Sequence, residues 1–185
     1  MSFRLEEGWT NWEPGAASQP AEIVETRDSL SLFRYKERDS IRDASGFSWI
    51  EFMVVRKVYR VISSSEAKAE PAPQDMATWL QNNPNLDMEK PEPVSVGGKK
   101  GVQFDAVASR ILQSYFGNCG MACLPLVKSS GLDFSVFEKS KARFIVLDDV
   151  KGEPLTIAVL APAVTFDEFM PNVQSVVNSV EWKGA

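Results

Sequence analysis

Phe144-Ile145-Val146-Leu147 and, one turn later, Thr156-Ile157-Ala158-Val159-Leu160 are the runs on which the fold turns. Side chains alternate between the two faces of a strand, so a run that is apolar at nearly every position puts hydrophobic residues on both. A sheet built around these strands needs cover on both sides. The link Val150-Lys151-Gly152-Glu153-Pro154 makes residues 142–148 and 155–160 a hairpin. Upstream, Val94-Ser95-Val96 and residues 102–108 flank Gly97-Gly98-Lys99-Lys100-Gly101 as a second hairpin, whose glycines suit a turn with positive φ. Residues 29–36 alternate Leu30 and Leu32 against Phe33 and Tyr35, and residues 49–62, rich in β-branched and aromatic side chains, read as one long strand. Short connections between successive strands favour antiparallel pairing.

Helical spacing occurs twice. Residues 73–83 set Met76, Trp79 and Leu80 on one stripe, and Asn83-Pro84 supplies a stop. Residues 166–180 place Phe166, Phe169, Met170, Val173, Val176, Val177 and Val180 at helical intervals, behind Thr165 as cap and Asp167-Glu168 as an acidic first turn. The predicted fold class is therefore α+β: a central antiparallel sheet flanked by helices on both faces. The Pro- and Ala-rich stretches 13–20 and 63–73 read as connections inside a single domain, residues 1–185.

Composition excludes several functions. The 185 residues include no histidine, so the chain alone cannot supply a Ser-His-Asp triad, a Cys-His dyad or an H-E-x-x-H zinc site. A net charge of -5 and the lack of a long basic run argue against nucleic acid, leaving Lys99-Lys100 as a solvated loop tip. No stretch is long and apolar enough to span a bilayer, and the first nine residues lack the apolar centre of a secretory signal.

Four groups of residues are candidates for chemistry. Cys119 and Cys123 are spaced C-x-x-x-C, which is neither the thioredoxin-type C-x-x-C nor a complete zinc set. A small local disulfide, two free thiols and a catalytic or metal-binding role all remain open for them. The carboxylate pairs Glu6-Glu7, Asp148-Asp149 and Asp167-Glu168 fit solvation, turn and capping roles, because adjacent strand residues face opposite ways and do not converge. Gly97-Gly98-Lys99-Lys100-Gly101 lacks the spacing of a phosphate-binding loop. Among five tryptophans, Trp49 and Trp79 read as core, whereas Trp9 and Trp12 lie beside Gly8, Pro14 and Gly15 and form the candidate binding surface.

Three motifs together resemble the PsbP-like superfamily and a group of actinobacterial secreted proteins and lipoproteins. They are Phe3-Arg4-Leu5-Glu6-Glu7-Gly8-Trp9; Trp79-Leu80-Gln81-Asn82-Asn83-Pro84-Asn85-Leu86 followed by Val94-Ser95-Val96-Gly97-Gly98; and Ala161-Pro162 through Phe166-Asp167-Glu168-Phe169 to Ser179-Val180-Glu181-Trp182. The resemblance implies an α/β/α sandwich and a non-enzymatic binding or assembly role outside the cytoplasm, at the cell envelope or secreted. The implied partner is another envelope protein or a small ligand, with no cofactor, no metal and no catalytic residues to carry over. It also implies that Cys119 and Cys123 are joined. On this reading an export signal lies upstream; a gene starting at Met1 would favour the cytoplasm. The alternatives are a histidine-free enzyme using carboxylates or Cys119/Cys123, and a carrier of a small apolar ligand.

Overall fold

The computed structural model describes residues 1–5, 9–11, 29–35, 47–112, 122–129 and 133–182. Both predicted hairpins form, each around a two-residue turn with two positive φ angles. Gly97 (55°) and Gly98 (79°) join β7 (Glu92–Val96) to β8 (Lys99–Ala108), and Lys151 (59°) and Gly152 (89°) join β11 (Ser140–Val150) to β12 (Glu153–Pro162). Such turns match the twist of the strands they connect. Lys99 and Lys100 open β8 rather than occupying the turn.

These strands form the centre of an eight-stranded antiparallel sheet. Its order is β1 (Trp9–Asn11), β2 (Ser29–Tyr35), β3 (Phe47–Met53), β12, β11, β8 and β6 (Leu86–Met88), with β7 also on β8. The register sets Ile50 against Val159 and Phe144 against both Ala158 and Phe104. As the two-faced runs require, the sheet has two cores. Ile145, Leu147, Ile157 and Val159 face one, where α2 (Phe166–Asn178) covers them with Phe166, Phe169, Val173, Val176 and Val177. Met170 packs at the margin of this core, and Thr165 makes no side-chain cap bond.

The other core corrects the predicted architecture. Its cover is a second sheet, four strands ordered β10 (Asp133–Phe137), β9 (Cys123–Lys128), β4 (Lys57–Val61) and β5 (Ala67–Pro71). Among the described residues the one helix that joins this core is the short α1 (Met76–Gln81), through Met76 and Leu80. The protein is thus mostly β, two antiparallel sheets with one long helix outside among the described residues, and not a sheet between two helical layers. Two-faced strands demand burial on each side, but their pattern carries no record of what supplies it. Trp49 packs edge-on against Phe134 and Phe137, and Phe134 against Phe144, so the sheets meet through aromatic rings.

Two local misreadings hid the second sheet. Residues 49–62 are two strands: the run breaks at Val54-Val55-Arg56, and its second half crosses to the other sheet as β4. The Ala- and Pro-rich stretch read as a connection contains β5, which pairs with β4 in register from Lys57–Pro71 to Val61–Ala67.

Candidate functional site

The Trp-bearing segment lies at one end of the large sheet. β1 pairs only with β2 among the described residues, Trp9 standing opposite Arg34, which makes it an edge strand. Trp12 lies outside the described residues. Trp49 is core, as predicted, whereas Trp79, on α1, is half-buried against the core. Trp182 donates its indole N–H to the Val96 carbonyl at 2.9 Å and fills the space over Gly97, where a Cβ would lie 2.6 Å from the indole nitrogen.

Cys123 heads β9 and is fully buried, bridged to Leu112 through the backbone. Cys119 lies outside the described residues, as does the pair Glu6-Glu7. The other carboxylate pairs are not brought together into a site: Asp148 and Asp149 are exposed beside the β11–β12 turn, where Asp149 accepts the Gly152 N–H, and Asp167 and Glu168 lie exposed in the first turn of α2.

The carboxyl groups with unusual surroundings are ones the sequence reading passed over. Glu51 shares the face of β3 that carries Trp49 and Met53, so it points between the two sheets and is 1% exposed. The Ser129 hydroxyl, just past β9, lies 3.5 Å from Glu51 Oε1. Burial pushes the Glu51 carboxyl up to about 8; the Ser129 hydroxyl pulls it back and the nearby Asp133 charge raises it further. Glu51 is therefore protonated at neutral pH. Asp133, at the head of β10, stays anchored: the Tyr59 hydroxyl donates to Oδ2 at 2.6 Å and the Lys128 ammonium reaches Oδ1 at 3.2 Å.

A carboxyl with a raised proton affinity beside a second carboxylate is a pattern that acid–base chemistry uses. Here the Glu51 carboxyl is sealed between the sheets and the Asp133 carboxylate is held by Tyr59 and Lys128, which suits a structural polar cluster better than a substrate site. Alternation alone flags Glu51, since a charged residue between Trp49 and Met53 occupies a core position. Asp133 gives no such signal, because its setting depends on β9–β10 pairing.

A second cluster lies on the α2 side. Arg143 and Asp105 are directly opposite across β11 and β8, joined by two bonds of 2.6 and 3.0 Å, and Lys141 bridges Asp105 and Glu89 at 3.1 and 2.9 Å. The Asp105 bond holds the Arg143 proton more tightly than usual. Burial works against the Lys141 charge, but the bonds to Glu89 and Asp105 outweigh it. Both cations lie over the Phe166 ring, at 5.0 and 5.9 Å from its centroid, tying the start of α2 to the sheet. Each charge has a partner, so the cluster reads as a brace. Among the described residues no three His, Cys, Asp or Glu side chains gather as metal ligands.

No family model matches the chain, and none of the curated proteins matches it. A solved structure titled "Crystal structure of LpqN involved in cell envelope biogenesis of Mycobacterium tuberculosis" is similar in outline, with a TM-score of 0.35 and 10% identity over 95% of this chain and 79% of that one. A likeness that slight transfers neither a fold nor a role.

Proposed function

We propose that this chain is a non-enzymatic binding or assembly domain that works outside the cytoplasm at the cell envelope. Its working surface is the β1 edge with Trp9 and, next to it in sequence, Trp12. The observation that carries this reading is the place of β1 at the end of the eight-stranded sheet, where a tryptophan-bearing strand has an open side among the described residues. Edge strands accept extended partner segments, and tryptophan anchors interfaces at low entropic cost. The envelope location rests on the sequence motifs shared with secreted proteins and on the proposed pairing of Cys119 with Cys123. The Glu51 carboxyl is buried, and Arg143, Lys141 and Asp105 are engaged with one another. The partner is another envelope protein or a small ligand.

Trp9→Phe and Trp12→Phe, each assayed for thermal stability and for partner capture from envelope extracts, test the surface. Loss of capture at unchanged stability is expected. Loss of stability alone, or no change in either, returns both residues to the scaffold.

A further inference from the structure

β5 ends the four-stranded sheet, and the ladder shows which of its backbone groups face outward. Ile62 N–H donates to Glu66 O at 2.9 Å and Ala72 N–H to Arg56 O at 3.1 Å. With the register Arg60–Lys68 and Val58–Glu70, the hydrogen-bonded positions are 66, 68, 70 and 72. Ala67, Ala69 and Pro71 therefore turn their backbone polar groups away from β4. Pro71, which has no N–H to give, sits where the β4–β5 ladder does not need one. Among the described residues, no strand lies on that outer side.

The side chains on this edge are unbalanced within one molecule. Lys68 stands directly opposite Arg60, a like-charge pairing, while the Arg60 side chain has taken Glu70 at 2.9 Å. Among the described residues no carboxylate lies within ion-pair reach of Lys68. The order Lys68-Ala69-Glu70 is self-complementary when read antiparallel about Ala69. A twofold axis there sets Lys68 opposite Glu70 of a second copy, and Glu70 opposite its Lys68. It also lets the Ala69 residues exchange two N–H···O=C bonds, and each Ala67 N–H meet the other copy's Pro71 carbonyl.

We propose that β5 pairs antiparallel with β5 of a second copy of this chain, fusing two four-stranded sheets into one continuous sheet across a twofold axis. Lys and Pro on an edge strand guard against indiscriminate pairing. This pattern narrows the choice to a strand offering Glu opposite Lys68 and Lys opposite Glu70, which the chain itself supplies. The contact is isologous, so it closes at two copies and does not grow into a filament.

Sedimentation equilibrium on the intact protein from micromolar to millimolar concentration tests this, with circular dichroism to confirm each variant is folded. A monomer–dimer equilibrium is expected. Ala69→Pro deletes an outward N–H and leaves the β4–β5 ladder intact, so it should weaken the dimer at least tenfold, about 1.4 kcal/mol. Lys68→Glu and Glu70→Lys should each be monomeric alone, whereas an equimolar mixture of the two should associate, because each supplies the charge the other lacks. A parent protein that stays monomeric throughout overturns the proposal. So does a dimer indifferent to Ala69→Pro, or single charge variants that do not associate when mixed; a different occupant or interface would then be in use.

Discussion

Replacing Glu51 with Gln should stabilise this protein at neutral pH and leave it unchanged at acidic pH. In the unfolded chain Glu51 titrates at its ordinary value of 4.5, and in the folded protein at about 8. Between these values the folded state holds a proton that the unfolded state has released, so stability falls as pH rises through this window and levels off above about 8. At about 1.4 kcal/mol per pH unit, the cost is near zero at pH 4.5, about 3 kcal/mol at pH 7 and about 5 kcal/mol on the upper plateau. Glutamine keeps the shape and the acceptor facing Ser129 but has no proton to lose. Urea unfolding of both proteins at intervals from pH 4.5 to 9 gives the difference directly, because every other titrating group contributes equally to both curves. The two should converge at the acid end and diverge upward by about 3 kcal/mol at pH 7. Parallel curves would refute the reasoning, showing that Glu51 ionises in the folded protein as it does in water.

Two further outcomes follow from the packing. Phe169, buried in the layer between α2 and the large sheet, should cost about 3 to 5 kcal/mol when truncated to Ala; a loss below about 1 kcal/mol would mean the helix is not seated there. Protein never exposed to reductant should resist alkylation at both Cys119 and Cys123 and gain two labels after reduction; two labels without reduction would remove the disulfide and, with it, one support of the envelope assignment.

What the sequence discloses here depends on how local each signal is. The turns at Gly97-Gly98 and Lys151-Gly152 declare their hairpins, because positive φ angles and flanking β-branched runs act within a few residues. The α2 stripe is equally plain, and Phe166, Phe169, Val173, Val176 and Val177 all prove buried. The four-stranded sheet is opaque for the opposite reason. β9 is Cys-Leu-Pro-Leu-Val-Lys, apolar at almost every position and so without alternation, β10 is only five residues long, and β5 is Ala-Lys-Ala-Glu-Pro, a composition that reads as a linker. Of the site, the company of Gly8, Pro14 and Gly15 singled out the segment of Trp9 and Trp12, and the place of β1 at the end of the sheet came only with the strand order. The meeting of Glu51 with Ser129 and Asp133 was not, since it requires knowing that the two sheets face each other.

The pairing of β3 with β12 sets the order of events during synthesis. Ile50 and Val159 are neighbours across the sheet but more than a hundred residues apart along the chain, so the middle of the sheet cannot close until nearly the last strand has left the ribosome. At ~5–20 residues per second, β3 waits roughly 5 to 20 s for its partner. Through that interval Trp49, Ile50, Phe52 and Met53 form an apolar strand edge open to other nascent chains. In their midst is Glu51, ionised while the chain is unfolded because its ordinary value lies at 4.5. The carboxylate that weighs on the finished fold thus places a negative charge, in the unfinished one, inside an apolar segment of the kind that charges guard against pairing with a stranger.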